Sequence, residues 1–241
     1  MRIKNLFLAV ISLGATVSMN AQEAKRGDFN VGITAGAGLS TMRMNDPYDL
    51  KDPEGIANIQ GGLVFDYAFV DNLFLEAGVT YQRKGYKTDG IGYEHSNDCF
   101  EIDEETKTSI HYVAVPLTLN YRINLGNFGL IPQAGPYVGV GLTGKTTTDY
   151  ILDLEDASMQ QVAEEMLGDM RNKAPESKVF DNEHAKRLDF GFRFGLGFAF
   201  SQKTKFTVGY DLGILDLYRA ENLDYKTKHS TFFGTLTFYF K

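Results

Sequence analysis

Tryptophan is absent from this chain, and cysteine occurs once, at Cys99. A lone thiol makes no internal disulfide, so the chain is not a disulfide-stapled scaffold. Cys99 does not follow the apolar stretch near the N terminus, which argues against a lipoprotein anchor. Its neighbours Asp98 and Glu101 disfavour a thiolate. Basic charge is in deficit: 24 Lys and Arg stand against 31 Asp and Glu, a net −7. That balance excludes nucleic acid as a partner, because phosphate contacts need Lys and Arg. Long apolar runs are also missing. Past the N-terminal segment none reaches the roughly 20 residues of a membrane helix.

What is present starts with that N-terminal segment. Arg2 and Lys4 precede an apolar stretch from Leu6 to Val17, and small residues lead to Gln22. This pattern predicts a secretory signal peptide over 1–21, leaving 22–241 as one domain. Glycine is abundant at 25 residues, as are Phe at 18 and Tyr at 13. Glycine suits the crowded wall of a narrow barrel, and Phe and Tyr suit a lipid-facing band with aromatic rims.

The remainder alternates. Eight segments carry an apolar residue at every second position: about 29–40, 58–69, 73–82, 110–123, 128–143, 187–200, 205–215 and 230–240. The sixth is the clearest. Leu188, Phe190, Phe192, Phe194, Leu196, Phe198 and Phe200 alternate with Arg187, Asp189, Gly191, Arg193, Gly195, Gly197 and Ala199. Period-2 alternation marks strands with two unlike faces. Connections after segments two, four and six are about four residues, whereas those at 41–57, 83–109, 144–186 and 216–229 are long. Export, alternation, an even strand count and this asymmetry predict an all-β fold. The expected form is an eight-stranded antiparallel up-and-down transmembrane β-barrel in the outer membrane, with short periplasmic turns and long extracellular loops. A soluble lipocalin-type barrel would turn the apolar face inward and leave an exterior built largely of glycine, which weakens strands. The opposite orientation fills a narrow interior with small residues. Outer-membrane lipids and lipopolysaccharide are then the expected surroundings.

One helix is predicted, inside the third long loop. Met159, Val162, Ala163, Met166, Leu167 and Met170 follow i, i+3, i+4 spacing, with Gln160, Gln161, Glu164, Glu165 and Asp169 opposite. It either packs on its own loop or forms a lid or partner-binding surface, a possible protein contact at the extracellular side.

The polar face carries a few charges at predictable depths. Asp66, Glu76 and Arg122 fall near the periplasmic end, and Arg193 and Asp211 are almost equidistant from the turn between the sixth and seventh segments. Charges in a poorly solvated lumen must be paired. These five residues therefore predict an Arg–carboxylate network that plugs the barrel; a narrow ion path along them is the alternative. The long loops hold most of the acidity. The Glu101, Asp103, Glu104, Glu105 cluster is either a solvated acidic loop or a Ca²⁺ or Mg²⁺ contact to lipopolysaccharide, and its spacing matches no defined calcium loop. No cofactor or metal is expected.

Candidates for chemistry are few. The histidines are His95, His111, His184 and His229. Ser109 and His111 share one face near the outer end of the fourth segment, and a lipid-facing Ser–His pair with a carboxylate could hydrolyse acyl chains. The competing reading is polar residues at the membrane rim, and the chain is expected not to be an enzyme.

Four stretches stand out: Leu75 to Tyr86, His111 to Leu117 with Pro116 inside the strand, Gln133 to Gly139, and Asp189 to Gly197. They resemble strands of the PorT-like outer-membrane β-barrel family of Bacteroidetes-type bacteria. Leu236, Phe238 and Phe240 resemble the aromatic terminal signal read by the barrel-assembly machinery, although Lys241 follows the last Phe. The resemblance implies a barrel fold and an association with protein secretion for the family's named member. It carries over no catalytic residues. Pro116, Pro132 and Pro136 independently predict bulges or local openings, since proline lacks a ladder donor.

Overall fold

A computed structural model describes residues 25–45, 53–94, 100–126, 128–154, 164–168, 170, 177–180, 185–201, 203–218 and 226–240. The expected signal peptide, His95, Cys99, His184, Met159, Val162 and Ala163 lie outside them.

Among the described residues ten strands make one antiparallel sheet: β1 (Phe29–Asn45), β2 (Glu54–Val70), β3 (Leu73–Glu94), β4 (Phe100–Tyr121), β5 (Ile123–Leu125), β6 (Phe128–Leu154), β7 (Ser177–Lys178), β8 (Leu188–Ala199), β9 (Thr204–Gly213) and β10 (Lys226–Tyr239). Two are fragments. β5 continues β4 past a break at Arg122, and β7 adds to β6 at Lys145 and Thr146. The eight long strands run β4-β3-β2-β1-β10-β9-β8-β6, and β4 also pairs β6, so each has a neighbour on both sides.

β1, β2 and β10 outgrow the alternating pattern by four or five residues, and three strands do so by more. β3 reaches Glu94, β4 begins at Phe100 and β6 reaches Leu154. Most of the expected 83–109 loop is thus a hairpin, with Lys87 opposite Lys107 and Asp89 opposite Glu105. The reason is physical: hydrogen-bonded pairing continues where Thr and charged residues occupy both faces, and only the apolar rhythm ends. Pro116 gives a gap in the β3–β4 pairing between Ala77–Leu117 and Thr80–Ala114 with no change of register. It is an opening, not a bulge. Pro132 and Pro136 keep register with Leu196 and Phe192 on the β8 side, while on the β4 side the pairing opens beside Pro136, between Pro116–Tyr137 and Leu119–Ala134, with no change of register. Real register shifts fall elsewhere, one of them at His111/Tyr112 between β4 and β6.

The two faces differ as alternation demands. Phe29, Ile33, Leu39, Phe192, Phe194, Phe232 and Phe238 are exposed, whereas Gln82, Asn120, Asp189 and Asp211 are buried. Phe232 is 55 % exposed and Asp211 1 %, the reverse of a water-soluble barrel. From Phe29 to Leu39 the apolar row on β1 is roughly 33 Å long at 3.3 Å per residue, or about 25 Å high for a strand tilted near 40°. Tight curvature brings neighbouring backbones together. A Cβ on Gly38 would lie 1.9 Å from the Phe232 carbonyl oxygen.

Apolar clusters cover both ends of the buried face. Ala68, Phe74, Ile131 and Ala199 pack at the short-turn end. Met42, Tyr86, Ile110, Tyr112, Val179 and Leu217 pack at the other, joined by Phe180, Ala185 and Tyr218. The second cluster is brought together by backbone bonds: Val179 N–H to Gly144 O (3.0 Å), Lys186 N–H to Leu217 O (2.7 Å) and Leu217 N–H to Thr227 O (2.9 Å). A Cβ on Gly144 would meet Val179 Cβ at 2.9 Å, so glycine there lets the segment lie flat on β6. Residues 164–168 and 170 are helical, with Leu167 buried and Met166 and Met170 half-buried.

Candidate functional site

The buried face is filled by charge, arranged in three tiers. Strand parity explains how. On β3 the even positions Glu76, Thr80, Gln82 and Lys84 turn away from the exposed Leu75, Val79 and Tyr81, and on β9 Lys205, Thr207 and Asp211 do the same. Arg193 on β8 and Asp211 on β9 are direct register partners.

The tier nearest the short turns holds Lys205, whose ammonium contacts Glu76. Tyr239 donates to the same carboxylate at 3.2 Å, and its ring centroid lies 5.8 Å from the Lys205 nitrogen. Asp66 is the register partner of Glu76 and stands within electrostatic reach of Lys205 and Tyr239. Arg122, at the break between β4 and β5, interacts with Tyr239 and Asp66, and its backbone N–H donates to Asn72 O at 2.7 Å.

The middle tier is one bidentate pair. Arg193 Nε and Nη2 donate to Asp211 Oδ1 and Oδ2, each at 2.7 Å. The guanidinium carbon sits 4.5 Å from the centre of the Phe233 ring. In the third tier Lys84 donates to Asp189 at 2.8 Å. Its nitrogen lies 4.4 Å from the Tyr137 ring centre and 5.7 Å from that of Tyr112. Tyr137 donates to Asp189 at 3.4 Å, and Tyr112 hydrogen-bonds His229 at 3.2 Å. Among the described residues four basic groups (Lys84, Arg122, Arg193, Lys205) and four acidic ones (Asp66, Glu76, Asp189, Asp211) are named in these tiers. Six of them form the ion pairs Lys205–Glu76, Arg193–Asp211 and Lys84–Asp189, and charge paired in this way tolerates a site that water hardly reaches.

Asp66, Glu76, Arg122, Arg193 and Asp211 thus fall into two of the three tiers. The sequence pattern does not single out the third tier or Lys205, although a signal for them exists. Lys84 has the parity of Glu76, and Lys205 that of Asp211; the apolar rhythm of the third segment ends at Gln82, short of Lys84.

The other candidates fall outside this face. Ser109 accepts from Arg83 Nε at 2.8 Å, while His111 Nδ1 is hydrogen-bonded to Tyr81 at 2.5 Å, so the Ser–His pair is split between two partners. Within the acidic cluster, Glu105 takes the Lys87 ammonium at 2.9 Å, and Glu104 accepts from Thr106 at 3.1 Å. Among the described residues no group of three His, Cys, Asp or Glu is placed to hold a metal.

Residues 20–219 match the family described as outer membrane protein beta-barrel domain. No curated protein matches the chain. Among solved structures, Neisserial surface protein A is 10% identical with a TM-score of 0.41, over 86% of this chain and 96% of that one. Ail, the attachment invasion locus protein of Yersinia pestis, is 16% identical with a TM-score of 0.38, over 89% and 99%. The N-terminal beta-barrel domain of Pseudomonas aeruginosa OprF is 12% identical with a TM-score of 0.35, over 89% and 100%.

Proposed function

Since this chain belongs to the outer membrane protein β-barrel domain family, we propose that it is a closed eight-stranded barrel whose lumen is shut by its own side chains. Its role is non-enzymatic: it anchors the long ends of β3, β4 and β6 at the cell surface. It reaches the outer membrane through a cleaved signal peptide over 1–21, with the short turns in the periplasm. The observation that carries this reading is the stack of ion pairs, Lys205–Glu76, Arg193–Asp211 and Lys84–Asp189, between two apolar clusters. Eight strands leave room for side chains and little else. Lys205–Glu76 and Lys84–Asp189 join β3 to β9 and β8 across the cavity, while Arg193–Asp211 joins the neighbouring strands β8 and β9 between them.

Planar-bilayer recording tests it. The full chain is expected to give no steady conductance, and the Arg193→Ala/Asp211→Ala chain, with its middle tier removed, at most brief low-conductance events. A large steady conductance from the unmodified protein would refute the plug.

A second reading, an accessory part in protein secretion or surface assembly, is favoured by the outer ends of β3, β4 and β6. These continue as a paired three-stranded sheet to Glu94, Phe100 and Leu154, and such a surface suits docking of a partner. Crosslinking from positions 88 and 149 in cells separates the two readings. A defined protein adduct supports the accessory role, and lipid-only adducts favour the anchor.

A further inference from the structure

Ser109 and His111, left without a hydrolytic role, sit at the centre of a basic cluster. Four side chains surround Ser109 on the outer face of the wall. Arg83 donates to its hydroxyl. Lys107 and His111 lie two residues either side on β4, the spacing that returns to one face of a strand. Lys145 on β6 is its register partner. Directly opposed residues have Cβ atoms about 5 Å apart, so the cluster spans three adjacent strands within the width of one headgroup.

Lys145 reaches that face because of the register shift at His111/Tyr112. Below it Val138, Val140 and Leu142 are the exposed residues of β6; above it Thr143 and Lys145 are, with Gly144 buried between them. The extra residue reverses the alternation and turns a lysine outward instead of a glycine, a known use of bulges.

Charge on this face is layered by height. The exposed Tyr81, Val115 and Leu142 mark the top of the apolar band. Next comes the basic layer of Arg83, His111 and Lys145, then a row in which Lys87, Lys107 and Thr147 are register partners. Glu54 on β2 is level with Lys87, which it shares with Glu105 and Asp89, and the acidic row of Asp89, Glu105 and Asp149 stands above, again in register. Below that row, at the depth of lipid headgroups, a net-acidic chain gathers Arg83, Lys107 and Lys145 against the hydrocarbon boundary.

We propose that Arg83, Lys107, His111 and Lys145 bind the phosphate of an outer-leaflet glycolipid. The inference rests on the transmembrane reading above. Ser109 is a positioning residue: by accepting from Nε it fixes the guanidinium plane and leaves the Nη groups for bidentate contact with phosphate. The hydrogen bond with Tyr81 takes up Nδ1 of His111 and leaves Nε2 as the ring nitrogen able to meet a phosphate.

The test uses the full chain in phosphatidylcholine nanodiscs doped with lipid A, either diphosphorylated or chemically dephosphorylated, with retained glycolipid measured after detergent exchange. The diphosphorylated form is expected to be held about tenfold more tightly, as for one charge-assisted contact. Lys107→Gln/Lys145→Gln, at two exposed positions, is expected to lose that preference. Arg83→Gln should lose it too, while Arg83→Lys keeps part of it. Arg26→Gln, at the opposite end, should change nothing. Equal retention of both lipids, or an undiminished preference in the double variant, would overturn the proposal. Barrel insertion, read separately from the heat-dependent gel shift, tells a failed lipid site from a failed barrel.

Discussion

Replacing Asp211 with alanine strands a guanidinium in the middle of the buried face. The two bonds it loses are both 2.7 Å, and the side chains of Arg193 and Asp211 are only 9% and 1% exposed. At that distance Coulomb attraction is about 6 kcal/mol for an effective dielectric of 20. Desolvating each ion costs several kcal/mol, so the intact pair is close to neutral for stability. Removing one partner leaves the desolvation cost without the attraction, a loss of about 3–5 kcal/mol. The Phe233 ring below Arg193 returns only a fraction of this. Arg193→Met/Asp211→Leu, which removes both charges and keeps volume, should be far less destabilised than Asp211→Ala. Urea unfolding in lipid vesicles, followed by the heat-dependent gel shift, gives the three free energies. The reasoning fails if the double variant is destabilised as much as the single one, or if the single one loses under about 1 kcal/mol, the size of an exposed pair.

Lys84→Met should cost a comparable amount by orphaning Asp189, which has Lys84 at 2.8 Å and Tyr137 at 3.4 Å; the same unfolding assay reads it. Gly38→Ala should impair assembly, losing about 3 kcal/mol, because the new Cβ would meet a backbone oxygen at 1.9 Å. Gly90→Ala, with nothing within 4 Å, should fold normally on the same gel. At the surface, Glu105 foremost and then Asp89 hold the Lys87 ammonium above the ordinary lysine range. A raised lysine stabilises the fold at every pH below its unfolded value and ceases to do so only in stronger alkali. Hydrogen exchange in the outer halves of β3 and β4 should therefore be no less protected in mildly alkaline than in neutral buffer, after correction for intrinsic rates.

Much of the architecture was legible because burial on one face imposes a rhythm on each strand. Phe192, Phe194 and Leu196 announce β8, and Arg193 is placed by its position between them. The strand ends were illegible for the converse reason. At Thr88, Thr106 and Thr148, which pair across three strands, polar side chains suit either face, so no rhythm marks the pairing. The bulge before Lys145 hides in the same way, since Leu142 and Thr143 are both exposed. Lys84 and Asp189 lie 105 residues apart on strands that are not neighbours. Nothing local ties them together; only the curvature of the wall brings them into contact.

The wall is also unequal in height. β6 runs to Leu154, twelve residues beyond Leu142, the last apolar residue of the band on that strand, or roughly 40 Å along the strand. β1 stops at Asn45, six beyond Leu39. Such a molecule has a front and a back in the plane of the membrane. Among the described residues the paired strands stand lower at β1 than at β6, so a neighbour approaching β4 meets a tall paddle first. Crowding alone would then favour one compass bearing for lateral encounters, without any adhesive patch to select it.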